Sequence, residues 1–301
     1  MAKMRIEGSF VAMVTPFQAD GAIDFGAFRT LIDWQASQGT VALLFMGSTG
    51  EPSLLAPEEK KRVVVETVKM KPAGLRFFYG CTGATTDQVI DNVNFAQANG
   101  ADGAIIAAPP YLCASEEDVE RFYLDVADAT TLPLGIYNNP PRVKTDLHWE
   151  HLLRIFRHPN YVIHKESTTR VGQVAQILAA RPDVTVMCCD SPNLGLVVPT
   201  MSLGGHGTAN MGGNIMPAEM ATISTPWKSW REAEAFREPL QAGGFEIREE
   251  RVDEGWWAVS ASRQQAIGSV LGRPSVAWGL CLGRRQRSIS RFAAMAARSI
   301  R

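Results

Sequence analysis

Eight short apolar runs recur along the chain, and segments with helical signals separate them. The runs are SFVAMVTPF (9–17), VALLFMGSTG (41–50), RFFYGCTG (76–83), GAIIAAPPY (103–111), LPLGIYNNP (132–140), YVIHKES (161–167), VTVMCCD (184–190) and GHGTANM (205–211). Most are nearly continuous rather than alternating, the pattern of parallel strands covered on both faces. In TTDQVIDNVNFAQANGADG, Thr85 or Thr86 can cap a helix, Val89, Val93 and Ala96 recur along it, and Gly100 follows its last turn. APEEKKRVVVETVKM has Pro57 at a first-turn position and acids in its first turn. Eight β–α units in series without a long linker predict an α/β chain folded as a (β/α)8 TIM barrel. A doubly wound sheet is the rival. It would show fewer strands and a glycine-rich phosphate fingerprint after the first one, and VTPFQADG is no such fingerprint.

The barrel is expected to occupy residues 1–236. Beyond about Arg237 the periodicity fades, with glycine, arginine and tryptophan scattered through 237–301 and a basic run, GRRQRSISR, near the end. That run reads as a solvated or disordered tail, and residues 237–301 as an ill-defined extension. Hydrophobic residues make up 46% of the chain and charged ones 20%, which suits a soluble globular protein. A formal net charge of -1 leaves no chain-wide footprint for nucleic acid. No apolar run approaches the ~20 residues that span a bilayer. The start, MAKMRIEGSF, lacks the apolar centre of a signal peptide, so a cytoplasmic location is expected. The cysteines, Cys81, Cys113, Cys188, Cys189 and Cys281, are odd in number and lack CxxC spacing, so they form neither a disulfide framework nor a zinc site. Cys188 and Cys189 read as packed on opposite faces of a strand. His148 and His151 begin a helix in DLHWEHLLRI, with too few neighbouring ligands for a metal.

In such barrels chemistry sits at the C-terminal ends of the strands. Those ends deliver GSTGE (Gly47, Ser48, Thr49, Gly50 and Glu51), GCTGA (80–84), Tyr111, YNNPPR with Tyr137 and Arg142, Lys165, and GGHGTANMGGN, which contains Ala209. There is no carboxylate–histidine cluster for a metal, no Ser-His-Asp arrangement, and no cofactor is expected. What stands out is Lys165 in an apolar strand with hydroxyl-bearing and small residues around it. Burial should lower the pKa of that lysine, and a neutral amine can form a Schiff base with a keto group. A nearby tyrosine could move protons, and the glycine-rich GSTGE turn could hold a carboxylate. The alternative is that Lys165 is the ion-pair partner of Glu166 or of another acid at a strand end.

The residues at these strand ends resemble a known family. VTPF, GSTGE, GCTGA, YNNP, HKES and LGGHG are similar, in order, to motifs of the dihydrodipicolinate synthase / N-acetylneuraminate lyase family, over roughly residues 6 to 236. These are barrels that act through a pyruvate Schiff base. The resemblance implies that Lys165 is the Schiff-base lysine, that Tyr137 relays protons, and that Ser48 and Thr49 are the hydroxyls of the carboxylate loop, with Gly47 and Gly50 framing it and Ala209 contributed by the eighth strand. Tyr111 matches a tyrosine that a neighbouring subunit lends to the relay in the synthases, which implies a homo-oligomer, a dimer or tetramer. Arg142 matches an arginine that binds the carboxylate of aspartate semialdehyde, which leans the resemblance towards condensation of pyruvate with a carboxylated aldehyde. The expected partners are those small molecules, with no nucleic acid and no membrane.

The chain departs from the family pattern in four places. VKTD follows Arg142 where the synthases carry Thr-Gly, and Pro110 replaces a second tyrosine, so feedback inhibition by lysine is not expected. The strand-8 end TANMGGN reads as more open than usual. The family's C-terminal helical domain is not recognisable, and the expectation is a divergent or frame-shifted tail that leaves apolar surface on the outer helices uncovered. These departures keep two alternatives open: a related aldolase, dehydratase or deaminase acting on a 2-keto acid of the sialic acid or 2-keto-3-deoxy sugar acid type, and a non-catalytic barrel that binds a keto acid.

Overall fold

The structure is a computed structural model that describes residues 3–168, 170–190 and 195–228, together with strands 245–253, 256–263 and 278–282. Eight strands, β1 (Gly8–Ala12), β2 (Ala42–Phe45), β3 (Arg76–Gly80), β4 (Gly103–Ala107), β5 (Leu134–Asn138), β6 (Tyr161–Glu166), β7 (Thr185–Cys188) and β8 (Gly207–Asn210), form one closed barrel in chain order. All neighbours are parallel, and β1 closes on β8 with Gly8 opposite Gly207. The apolar runs read as they do because these strands are buried on both faces. Phe10, Leu44, Phe78, Ile105, Ile163 and Met187 fill the interior, and Val11, Leu43, Phe45, Phe77, Ile136 and Val186 pack under the helices. Rings of Phe10 and Phe78 meet inside at 5.2 Å.

The helices are α1 (Phe25–Ser37), α2 (Pro57–Val68), α3 (Thr86–Ala98), α4 (Glu116–Asp128), α5 (Pro140–Val143), α6 (Trp149–Ile155), α7 (Val171–Ala179), α8 (Val197–Ser202) and α9 (Pro217–Ile223). Their starts are chemically marked. Asp24, Thr85 and Ser115 each accept a first-turn amide, and Pro57 opens α2 with Glu58 and Glu59 behind it. Of the two candidate caps for α3, Thr85 is the one used.

The end of β8 is closed rather than open. Asn210, Met211, Gly212 and Asn214 are buried, and Asn214 Nδ2 donates to the carbonyls of Ala12 and Met211 at 2.7 and 2.9 Å. The proposed boundary after residue 236 and the basic run GRRQRSISR lie outside the described residues. Within the extension, β9 (Phe245–Asp253), β10 (Trp256–Arg263) and β11 (Trp278–Leu282) form an antiparallel sheet in the order β11-β10-β9. Strand period explains why helical periodicity fades there.

Candidate active site

Lys165 is the penultimate residue of β6, in register with Tyr137 of β5 and Met187 of β7. Alternation along the strand puts Lys165 on the inner face with Ile163, and His164 and Glu166 on the outer one. Glu166 is fully buried there and accepts from Asn138 Nδ2 at 3.1 Å, Gln173 Nε2 at 3.0 Å and the Ser167 amide at 3.1 Å, with His164 Nε2 at 3.0 Å. An ion pair between Lys165 and Glu166 is therefore not formed.

Inside, the Lys165 side chain is 4% exposed, and its Nζ lies 4.4 Å from the centre of the Tyr137 ring. The Tyr137 hydroxyl accepts from Asn139 Nδ2, while Asn139 Oδ1 accepts the Arg142 amide at 3.3 Å and caps α5. One asparagine thus ties the phenol to the short helix that carries Arg142. Asp190, just past β7, accepts the amides of Met211 at 3.0 Å and Gly212 at 2.8 Å. A cavity of about 680 Å³ brings together Lys165, Tyr137, Ser48, Thr49, Arg142 and Ala209.

The direction of the lysine's pKa shift differs from expectation. Burial opposes its ammonium, but the negative charge that Cys189, Tyr137 and Asp190 carry when ionised outweighs burial and raises its pKa above the usual lysine value. Burial pushes the Tyr137 phenol, the Cys189 thiol and the Asp190 carboxyl upward as well. Each of these four groups is thus biased towards its proton-bearing form. The amine becomes a nucleophile once its proton passes to a base, and Asp190, whose carboxylate acts on the lysine, can accept it.

Ser48 and Thr49 open a 3-10 turn, Ser48–Gly50, whose leading amides have no acceptor within the turn. Gly47 and Gly50 do not line the cavity; they shape the turn. A Cβ on Gly47 would meet Leu44 at 2.9 Å, and the Gly50 carbonyl accepts Thr15 Oγ1 at 2.6 Å. Tyr111 also lies outside the cavity of its own chain, 91% exposed and with φ 77°.

Asn139, Asp146, Ser167, Thr168, Arg170, Cys189 and Asp190 line the cavity and were not singled out as site residues from sequence. The strand-end rule applied to VTVMCCD would have found Cys189 and Asp190; Cys189 is not merely packed. His148 and His151 engage Glu116 and Glu120 at 2.7 Å on the outer helices. Among the described residues no group of three metal-ligating side chains is present, and no helix is long and apolar enough to cross a membrane.

Comparison with known proteins agrees with this geometry. A sequence model of the dihydrodipicolinate synthetase family matches residues 5–255, past the expected end of the barrel. A 4-hydroxy-tetrahydrodipicolinate synthase of Gluconacetobacter diazotrophicus is 32% identical over 78% of this chain and 79% of its own. One from Thermodesulfovibrio yellowstonii is 35% identical over 74% and 75%. The crystal structure of a chloride-inhibited dihydrodipicolinate synthase from Acinetobacter baumannii, complexed with pyruvate, superposes with a TM-score of 0.70 at 30% identity, over 77% of each chain.

Proposed function

The chain belongs to the dihydrodipicolinate synthetase family, and from that premise we propose that it condenses pyruvate with aspartate semialdehyde, as a 4-hydroxy-tetrahydrodipicolinate synthase of lysine biosynthesis. The carrying observation is Lys165, buried at the inner end of β6 against Tyr137, in one cavity with Ser48, Thr49 and Arg142. Pyruvate's carboxylate binds the Ser48–Thr49 turn. Lys165 Nζ, after losing its proton, adds to the keto carbon, and loss of water gives an iminium. Tyr137 passes protons to and from the carbinolamine oxygen. The iminium acidifies the methyl group, and the enamine attacks the aldehyde, whose carboxylate meets Arg142. Tyr111 and Leu112, 91% and 61% exposed after β4, support a homo-oligomer in which Tyr111 serves a neighbouring site.

The test is incubation with pyruvate, borohydride reduction, intact mass and peptide mapping. A pyruvate-derived adduct on Lys165, absent in Lys165→Ala, with condensation activity lost by about 10³-fold or more, is expected. A folded protein that forms no adduct would refute the reading. The hydroxyls of Ser167 and Thr168 in the same cavity favour, as a second reading, a related aldolase for hydroxylated keto acids; turnover across an aldehyde panel separates the two.

A further inference from the structure

Beyond the reacting centre the cavity carries a pair of opposite charges with unused capacity. Arg170, at the residue preceding α7, pairs through Nη2 with Asp146 Oδ2 at 2.7 Å and donates to Gln173 Oε1 at 2.9 Å. Its Nε–H is shut off from solvent and has no partner among the described residues. The side chain is nonetheless 37% exposed, so a ligand meets the guanidinium at its outer nitrogens rather than at Nε. Asp146 is fixed from behind by Asn138 Nδ2 at 3.3 Å and stays 31% exposed towards the cavity. Arg142 lines the same cavity. An anion alone would meet the Asp146 carboxylate beside the guanidinium, and a cation alone would meet the guanidinium. A group that brings both charges satisfies each half.

We propose that Arg170 and Asp146 determine specificity by reading the zwitterionic end of an α-amino-acid aldehyde. The outer guanidinium nitrogens of Arg170 donate to a carboxylate oxygen, Asp146 accepts from the α-ammonium, and Arg142 takes the other carboxylate oxygen. This rests on the pyruvate Schiff-base reading above. The pair is distinct from the reacting groups, so it sets which aldehyde is accepted rather than whether the imine forms.

The experiment compares kcat/KM for aspartate semialdehyde and for succinate semialdehyde, the same chain without its amino group, in wild type, Asp146→Asn and Arg170→Lys. Arg170→Lys keeps a positive charge beside Asp146 but removes the guanidinium fork. Borohydride trapping of pyruvate on Lys165 is measured in every variant. Wild type is expected to prefer the amino-bearing aldehyde by tenfold or more. Each variant should lose most of that preference while trapping pyruvate as wild type does. Adduct formation with an unchanged preference overturns the assignment alone, as does a wild type that prefers a hydroxylated aldehyde such as glyceraldehyde. Absence of the adduct in folded wild type instead overturns the Schiff-base reading on which the assignment rests.

Discussion

Tyr137 does two jobs that one atom separates. Its ring faces the Lys165 ammonium at 4.4 Å, and its hydroxyl is held by Asn139. Tyr137→Phe keeps the ring and removes the proton carrier. We expect kcat to fall by about 10²-fold or more, with the pyruvate adduct still trapped at longer times; a kcat within a factor of three of wild type would exclude the relay. Asn139→Ala acts one step further out. It removes the cap of α5, worth about 1 kcal/mol, and frees the helix carrying Arg142. A rise in KM for the aldehyde of about tenfold, equivalent to ~1.4 kcal/mol, is expected alongside a lower denaturation midpoint; unchanged KM would mean that Arg142 does not bind that substrate. At this scale the sequence was informative where a residue broke a local rule. A lysine in an apolar strand was visible because burial makes it costly. The direction of its pKa was not, since Cys189 and Asp190 reach it only through the fold.

Elements were legible where one strand or helix carried its own signal. Continuous apolar runs revealed the eight strands because the helices and the barrel interior cover both faces. The alternation that separates Lys165 from Glu166 is also local, and follows from strand period once β6 is assigned. The closed end of β8 was not legible, because Asp190 and Asn214 seal it from other parts of the chain. The β7–β8 junction has a pH dependence of its own. His206 Nδ1 accepts the Val186 amide at 3.1 Å, so a proton there would replace an acceptor with a donor. Burial lowers its pKa below 6.5, with Arg5 also lowering it and Glu7 opposing. As pH falls through 6.5 the unfolded chain therefore takes up a proton that the folded one resists, and stability declines; above that window the contribution is constant. Denaturation midpoints at pH 7.5 and 5.5 should diverge more for wild type than for His206→Gln. Equal losses would show that His206 plays no part.

For the whole molecule, closure depends on the seam between β1 and β8. Gly207 has φ 143°, and a Cβ on it would meet the Gly8 carbonyl oxygen at 2.1 Å. Gly207→Ala is expected to cost more than about 3 kcal/mol, seen as a large drop in thermal midpoint or as insoluble protein; a near-wild-type midpoint would mean that the strands can separate to admit a methyl group. The extension after the barrel is the part where local reading said least about the whole, since loss of helical pattern alone does not say what replaces it. The seam has a temporal meaning too. During synthesis the first strand leaves the ribosome long before its last partner exists, so β1 keeps one unpaired edge until residue 207 and its neighbours emerge. A nascent chain paused before that point presents an open, apolar sheet edge, which makes the pace of translation through the final strand a determinant of how much protein escapes aggregation.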